Sequence, residues 1–153
     1  MRGPNVFGGY WEDAEATRNA LTPEGWLRTG DVAMADDEGE LYVVDRAKDL
    51  IIVSGFNVYP AEVEEVLLSV PAVGAAAVVG RDHEQTGETV AAYVVAADGH
   101  APPEPAELMA ECRRMLARYK CPTVITVVQS LPYGLGGKLL RRALKGKPPA
   151  EGW

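Results

Sequence analysis

The chain reads as an α+β protein: a small mixed sheet of about three strands with helices packed on it, preceded by a loop- and hairpin-rich N-terminal segment. Three observations lead there. Val63, Val66, Leu67 and Val70 recur at helical spacing after Pro60. Two valine-rich runs, residues 73–79 and 90–97, are short and made of strand-forming residues. A second helical stripe, Leu108, Cys112, Met115, Leu116 and Tyr119, follows a proline-rich linker.

Residues 1–30 hold Gly3, Pro4, Gly8, Gly9, Pro23, Gly25 and Gly30 among scattered aromatics, a composition of loops that buries little core. Residues 32–44 read strand, turn, strand, with the turn at Asp36-Asp37-Glu38-Gly39. A second hairpin-like pair, 50–53 and 56–59, closes around Ser54-Gly55. Pro60 suits the first position of a helix, and Glu62, Glu64 and Glu65 suit its opening turns. Pro71 stops that helix. The polar stretch from Gly80 to Gly87 separates the two valine runs.

Pro102, Pro103 and Pro105 lead into the second helix, which turns Arg113, Arg114 and Arg118 outward and ends at Pro122. Residues 123–128 read as one more strand. A glycine-rich loop, Pro132 to Gly137, precedes Lys138 and a short basic helix over 139–145. From about residue 49 the order is helix, strand, strand, helix, strand. The helices are expected on one side of the sheet.

Composition excludes several classes of function. The 153 residues include 22 acidic and 15 basic side chains, for a net charge of −7, which argues against a nucleic-acid surface. Only the stretch from Lys138 to Lys147 is locally basic. Two cysteines make neither a disulfide framework nor a metal-ligand spacing, and Cys112 on an apolar helix face reads as a packed thiol. No apolar stretch reaches the roughly 20 residues of a membrane span. The N-terminus lacks a hydrophobic signal core, so a cytoplasmic location is expected.

Five positions stand out for their chemistry. Lys138 follows glycines at 134, 136 and 137, which let a backbone approach a ligand closely. A lysine there carries a point charge to a carboxylate or phosphate, unless the segment is simply a solvated basic tail. A nucleoside-triphosphatase phosphate loop is excluded, because the required Ser or Thr after the lysine is Leu139. Asp31, after Thr29-Gly30, reads locally as a turn cap. Arg46 reads locally as half of an ion pair with Asp45 or Asp49. Lys48 is a solvent-facing lysine in a charged turn, and Gly55 belongs to a hairpin turn. His83, His100, Glu84 and Glu88 form no triad or metal spacing and read as solvated loop.

The run from Asp45 to Glu64 resembles the hinge and glycine-loop region of acyl-CoA synthetases, in the adenylate-forming (AMP-binding) superfamily. Leu131, Pro132, Gly137, Lys138, Arg141 and Arg142 match that family's C-terminal lysine motif, Leu-Pro-Arg-Thr-x-x-Gly-Lys-x-x-Arg-Arg. Tyr133, Gly134 and Gly136 depart from it. Thr29-Gly30-Asp31 is similar to the superfamily's Thr-Gly-Asp motif. The segment from Gly3 to Trp11 is similar to a motif near the end of the large domain. The stretch from Gly55 to Glu64 looks more like fatty-acyl-CoA synthetases than peptide-synthetase adenylation domains.

The resemblance implies a division at the hinge: residues 1–47 as the tail end of the large AMP-binding domain, residues 48–153 as the mobile C-terminal domain. It implies that Lys138 bridges the attacking carboxylate and the nucleotide. Asp31 and Arg46 would contact the nucleotide, Lys48 would be the pivot, and Gly55 would lie beside the pantetheine arm. Lys120 or the arginines near it are the cations available for CoA phosphates. The implied reaction is ATP-dependent activation of a fatty carboxylic acid to acyl-AMP, then transfer to CoA, with ATP, Mg2+ and CoA required. The implied partner is the N-terminal AMP-binding domain; neither nucleic acid nor a transmembrane segment is expected. No phosphate loop, magnesium motif or acyl pocket occurs in this sequence, so the isolated chain is expected to be inactive. The competing readings are a non-catalytic interaction module and an adenylation domain that loads a carrier-protein thiol.

Overall fold

A computed structural model describes residues 1–145, and Lys147, at the end of the basic stretch, lies outside the described residues. The chain divides into two compact units, Met1–Lys48 and Asp49 onward.

The first unit contains a helix that its loop-like composition does not suggest. Helix α1 (Ala14–Ala20) starts where the Asp13 carboxylate accepts the Ala16 N–H at 2.8 Å, and it buries no residue. Strands β1 (Asp31–Ala35) and β2 (Leu41–Arg46) then pair antiparallel, with a register shift between Val32 and Ala33. Their turn is held by Asp36 Oδ1, which accepts the N–H groups of Glu38 and Glu40 at 3.0 and 2.9 Å. Backbone bonds of that kind hold the Asp36 carboxyl below its ordinary pKa, the one from Glu40 foremost. Met34, Leu41, Tyr42 and Val43 remain exposed.

The second unit is a five-stranded mixed sheet, larger than the three strands expected. Strands β3 (Ile51–Val53) and β4 (Phe56–Val58) form a tight hairpin whose central residues, Ser54 and Gly55, both have positive φ. That is the backbone demand of a type I′ turn, and it accounts for the glycine. Helix α2 (Pro60–Leu68) follows, with Pro60 in its first turn. Strands β5 (Val73–His83) and β6 (Gly87–Ala96) are a long antiparallel pair. The polar stretch read as a turn is mostly strand: Arg81, Asp82 and His83 pair with Thr89, Glu88 and Gly87. Glu88 is therefore not solvated loop; its carboxylate accepts the Ile52 N–H of β3 at 2.8 Å. The pair Val53–Gly87 joins the hairpin to the sheet, which supplies the extra strands.

Helix α3 (Pro105–Met115) carries the chain to β7 (Val124–Val127), which lies parallel to β6, so the sheet is mixed as expected. This helix is shorter than its apolar stripe suggests. Leu116 is already extended, and Tyr119 belongs to a separate 3-10 turn, Arg118–Lys120, where its ring packs 4.9 Å from that of Phe56. Helix α4 (Arg141–Lys145) closes the described chain.

Strand alternation divides the core into two layers. Val63 and Leu67 of α2, with Leu108 and Cys112 of α3, pack on Val78, Ala92 and Val94. The opposite face, Ala77, Val79, Ala91 and Tyr93, packs against Val128, Leu131 and Leu144. The helices thus occupy both faces, not the single side expected, because β5 and β6 are apolar on both faces. Leu144 is fully buried, which places the short helix α4 on that second face. Burying such a side chain is worth about 1.5–3 kcal/mol, which supports a helix too short to persist alone. The Tyr93 hydroxyl adds a bond to the Leu144 carbonyl at 3.1 Å and receives one from Arg81. Burial pushes the Cys112 thiol up to about 11, as a packed thiol requires.

Candidate functional site

In the first unit the hairpin register brings Asp31 and Arg46 face to face. Arg46 Nε lies 3.1 Å from Asp31 Oδ1, while Asp45, one of the two partners expected for it, instead accepts the Arg46 backbone N–H at 2.7 Å. Gly30, with φ of 74°, turns the chain into β1, and its carbonyl accepts the Ala47 N–H at 2.9 Å. The mouth of the hairpin is thereby closed. The Asp31 N–H donates to Thr29 Oγ1 at 3.2 Å. With side-chain exposures of 26% for Asp31 and 54% for Arg46, the pair is a surface ion pair, worth about 0–1 kcal/mol. It adds little to stability and presents an acceptor and a donor side by side.

Lys48 is exposed in the turn that ends the first unit. In the second unit Gly55 tips the β3–β4 hairpin, where a Cβ would meet open space, so its backbone conformation is what calls for glycine. Lys120 is engaged: its ammonium contacts both oxygens of Glu62 at 2.6 and 2.7 Å. That bond holds its pKa above the ordinary lysine value. A groove of about 630 Å³ near the end of α3 has Arg113 and Arg118 beside Met109, Leu116 and Pro122. The Arg113 charge acts on the Cys121 thiol, which lines the same groove, and opposes the larger effect of burial there.

Lys138 is exposed at the end of a loop that is ordered by its own backbone. Gly134 N–H reaches the Lys138 carbonyl at 2.9 Å, Gly137 N–H reaches the Gly134 carbonyl at 2.9 Å, and Leu140 N–H reaches the Pro132 carbonyl at 2.8 Å. Gly137, with φ of 70°, makes the bend just before the lysine. Buried Leu131 holds one side of the loop; beyond its other side, Arg141 contacts Glu64 at 2.7 Å. Among the described residues no group of three or more His, Cys, Asp and Glu is arranged to hold a metal ion.

Residues 62–138, half of the chain, match the family described as AMP-binding enzyme C-terminal domain. The chain belongs to that family. Over 145 residues it is 47% identical to a long-chain-fatty-acid–CoA ligase of Yersinia pestis and 50% identical to a 2-succinylbenzoate–CoA ligase of Geobacillus kaustophilus. Each alignment takes in 95% of this chain but only 25% and 29% of the relative. The o-succinylbenzoate CoA synthetase of Bacillus subtilis, solved with its acyl-adenylate intermediate, superposes with a TM-score of 0.87 at 44% identity, over 98% of this chain and 30% of that one. An amide bond synthetase of Marinactinospora thermotolerans superposes at 0.86 and 44%, over 94% and 29%. The chain thus spans between a quarter and a third of the length of these relatives.

The family resemblance singles out Lys138, Asp31 and Arg46, which read locally as a basic tail, a turn cap and half of an ion pair. The roles of Glu62 and Glu64 escaped that reading, since both pass for ordinary first-turn acids of α2. Their partners, Lys120 and Arg141, lie 58 and 77 residues away in the chain.

Proposed function

We propose that this chain supplies the C-terminal portion of an acid–thiol ligase: ATP-dependent formation of an acyl-adenylate, then acyl transfer to CoA. In the first step a carboxylate oxygen attacks the α-phosphorus of ATP and pyrophosphate leaves with the electrons of the broken P–O bond. In the second the CoA sulfur attacks the acyl carbon, AMP departs and the thiol proton is released. The Lys138 ammonium acts in the first step, holding two anions together and offsetting charge in the transition state. Asp31 accepts from the ribose hydroxyls, a task suited to a group with acceptors only, and Arg46 contacts the nucleotide beside it. Lys48 is the pivot between the two steps, and Gly55 lies against the pantetheine arm. Arg113 and Arg118 are the cations left for CoA phosphates, because Lys120 is held by Glu62.

The observation that carries this reading is the family match ending at Lys138, an exposed ammonium on an ordered, anchored loop. The matched relatives bear the names of ligases for unlike acids, so the proposal is restricted to the carboxylate class. An amide bond synthetase among them makes the acceptor something to assay separately. Mg2+ is assigned to a large AMP-binding domain outside this chain, the partner in the reaction, which shares the nucleotide with Asp31, Arg46 and Lys138. The test is to replace the C-terminal portion of the Bacillus subtilis synthetase with this chain and measure pyrophosphate release. Acid-dependent release supports the reading. Release indistinguishable from that of the large domain alone would favour a docking module without catalysis. The isolated chain, given ATP, a carboxylic acid and CoA, is expected to make no acyl-CoA.

A further inference from the structure

The bonds inside the Lys138 loop set its shape but not its place on the body of the domain. Place is set where the loop meets the core. On one side Leu131 is buried in the second core layer. On the other, three residues past Lys138 and so within about 11 Å of chain, Arg141 Nη2 donates to both carboxylate oxygens of Glu64, at 2.7 and 2.8 Å. The Glu64 carboxylate also accepts the Val78 N–H at 2.8 Å, an amide of the edge strand β5. One carboxylate therefore fastens helix α2, the sheet edge and the root of the lysine loop together. Its side chain is 14% exposed and that of Arg141 is 23% exposed, well below the exposure of Arg46 in the pair with Asp31.

The geometry of this pair is not the one that stability alone would select. Arg141 Nε is buried without a hydrogen-bond partner, and both contacts to Glu64 come from a single terminal nitrogen. A guanidinium free to optimise the contact would present its two-pronged fork, and an orphaned buried donor costs about 1–3 kcal/mol. Keeping Arg141 in this pose is intelligible if the position of the chain around it is what matters.

We propose that Glu64 is a positioning residue for Lys138: acting through Arg141, it fixes where the lysine loop sits on the domain. The proposal rests on the reading of Lys138 given above, and Glu64 itself touches no substrate. Misplacing a reacting group by about 1 Å can cost roughly 100-fold in rate, so the effect should be visible in turnover.

Three variants of the full 153-residue chain test it. Glu64→Gln removes the charge but keeps an acceptor for the Val78 N–H; Arg141→Gln breaks the pair from the other side if the first does not fold. Arg141→Lys keeps a single-nitrogen cation. Backbone NMR order parameters are the first readout. Gly137 and Lys138 should be rigid in the parent, near 0.85, and fall below about 0.6 in the Gln variants. Amides of β6 should stay unchanged, and Arg141→Lys should stay near the parent. A parent loop that is already mobile, unchanged loop values, or an equal loosening of β6 would each overturn the proposal.

In the fusion with the Bacillus subtilis large domain, both Gln variants should lower kcat for adenylate formation by about 10- to 100-fold with KM for ATP unchanged. Arg141→Lys should recover most of that loss. A loosened loop with undiminished kcat would sink the positioning role while leaving Lys138 standing. If Lys138→Ala itself has no effect, the lysine reading fails and takes the catalytic part of this proposal with it.

Discussion

The two units differ in what holds them together. Between residues 1 and 50 no side chain is buried, whereas the second unit packs two apolar layers around β5 and β6. The hairpin β1–β2 rests on its own ladder, an Asp36 turn and a half-exposed ion pair, with Leu41 and Val43 facing water. The second unit has Leu67, Leu108 and Leu144 all but fully enclosed. Both carry residues assigned to nucleotide chemistry, yet only one has the core to fix them by itself. Precision in the first unit must therefore come from local turns and register, while in the second it comes from the sheet.

The largest expected effect is on cooperativity. A chain of residues 49–153 should unfold in one cooperative transition close to that of the full chain, and residues 1–48 alone should show none, as read by circular dichroism during heating. A cooperative transition in the short piece would break the contrast.

A smaller effect concerns the Glu62–Lys120 pair, the second unit's counterpart to Asp31–Arg46. Lys120 titrates higher in the folded state than in the unfolded chain, chiefly through its bond to Glu62. The contribution of the pair is thus fully present below the ordinary lysine pKa and is lost as pH rises through the raised folded value. Glu62→Gln should cost about 0.5–1 kcal/mol at pH 7, since water partly screens the pair, and should flatten the alkaline decline in stability. Denaturant midpoints from pH 8 to 11 would read it; an unaltered slope would contradict the assignment.

The smallest effect separates two thiols within the second unit. Burial raises both Cys112 and Cys121, but Cys121 is partly exposed and Cys112 is enclosed. At pH 8 a thiol reagent should label Cys121 first and reach Cys112 only on unfolding. Equal rates in the native protein would mean that the α3 face is open.

How much of this was legible in the sequence follows from the same contrast. The valines of β5 and β6 and the stripes of α2 and α3 announce themselves, because burial demands apolar residues at fixed spacing. The polar ends of that strand pair did not: Arg81 to His83 keep the ladder after it has run past the core, so their composition resembles a turn. Helix α1 buries nothing and left only the Asp13 cap as a signal. Tyr119 sits at helical spacing yet belongs to a separate turn, fixed by contact with Phe56, which no local pattern records. Of the candidate site, the glycines before Lys138 were readable as a loop. The pairing of Asp31 with Arg46 depends on hairpin register, and that of Glu64 with Arg141 on two elements meeting in space.

The proposed chemistry turns on the Lys138 ammonium, and the most direct measurement divides the two half-reactions. In the fusion enzyme, Lys138→Ala should lower acyl-AMP formation from ATP by about 100- to 1,000-fold while thioester formation from supplied acyl-AMP and CoA proceeds at the parent rate. Equal loss of both steps, or loss of neither, would contradict it.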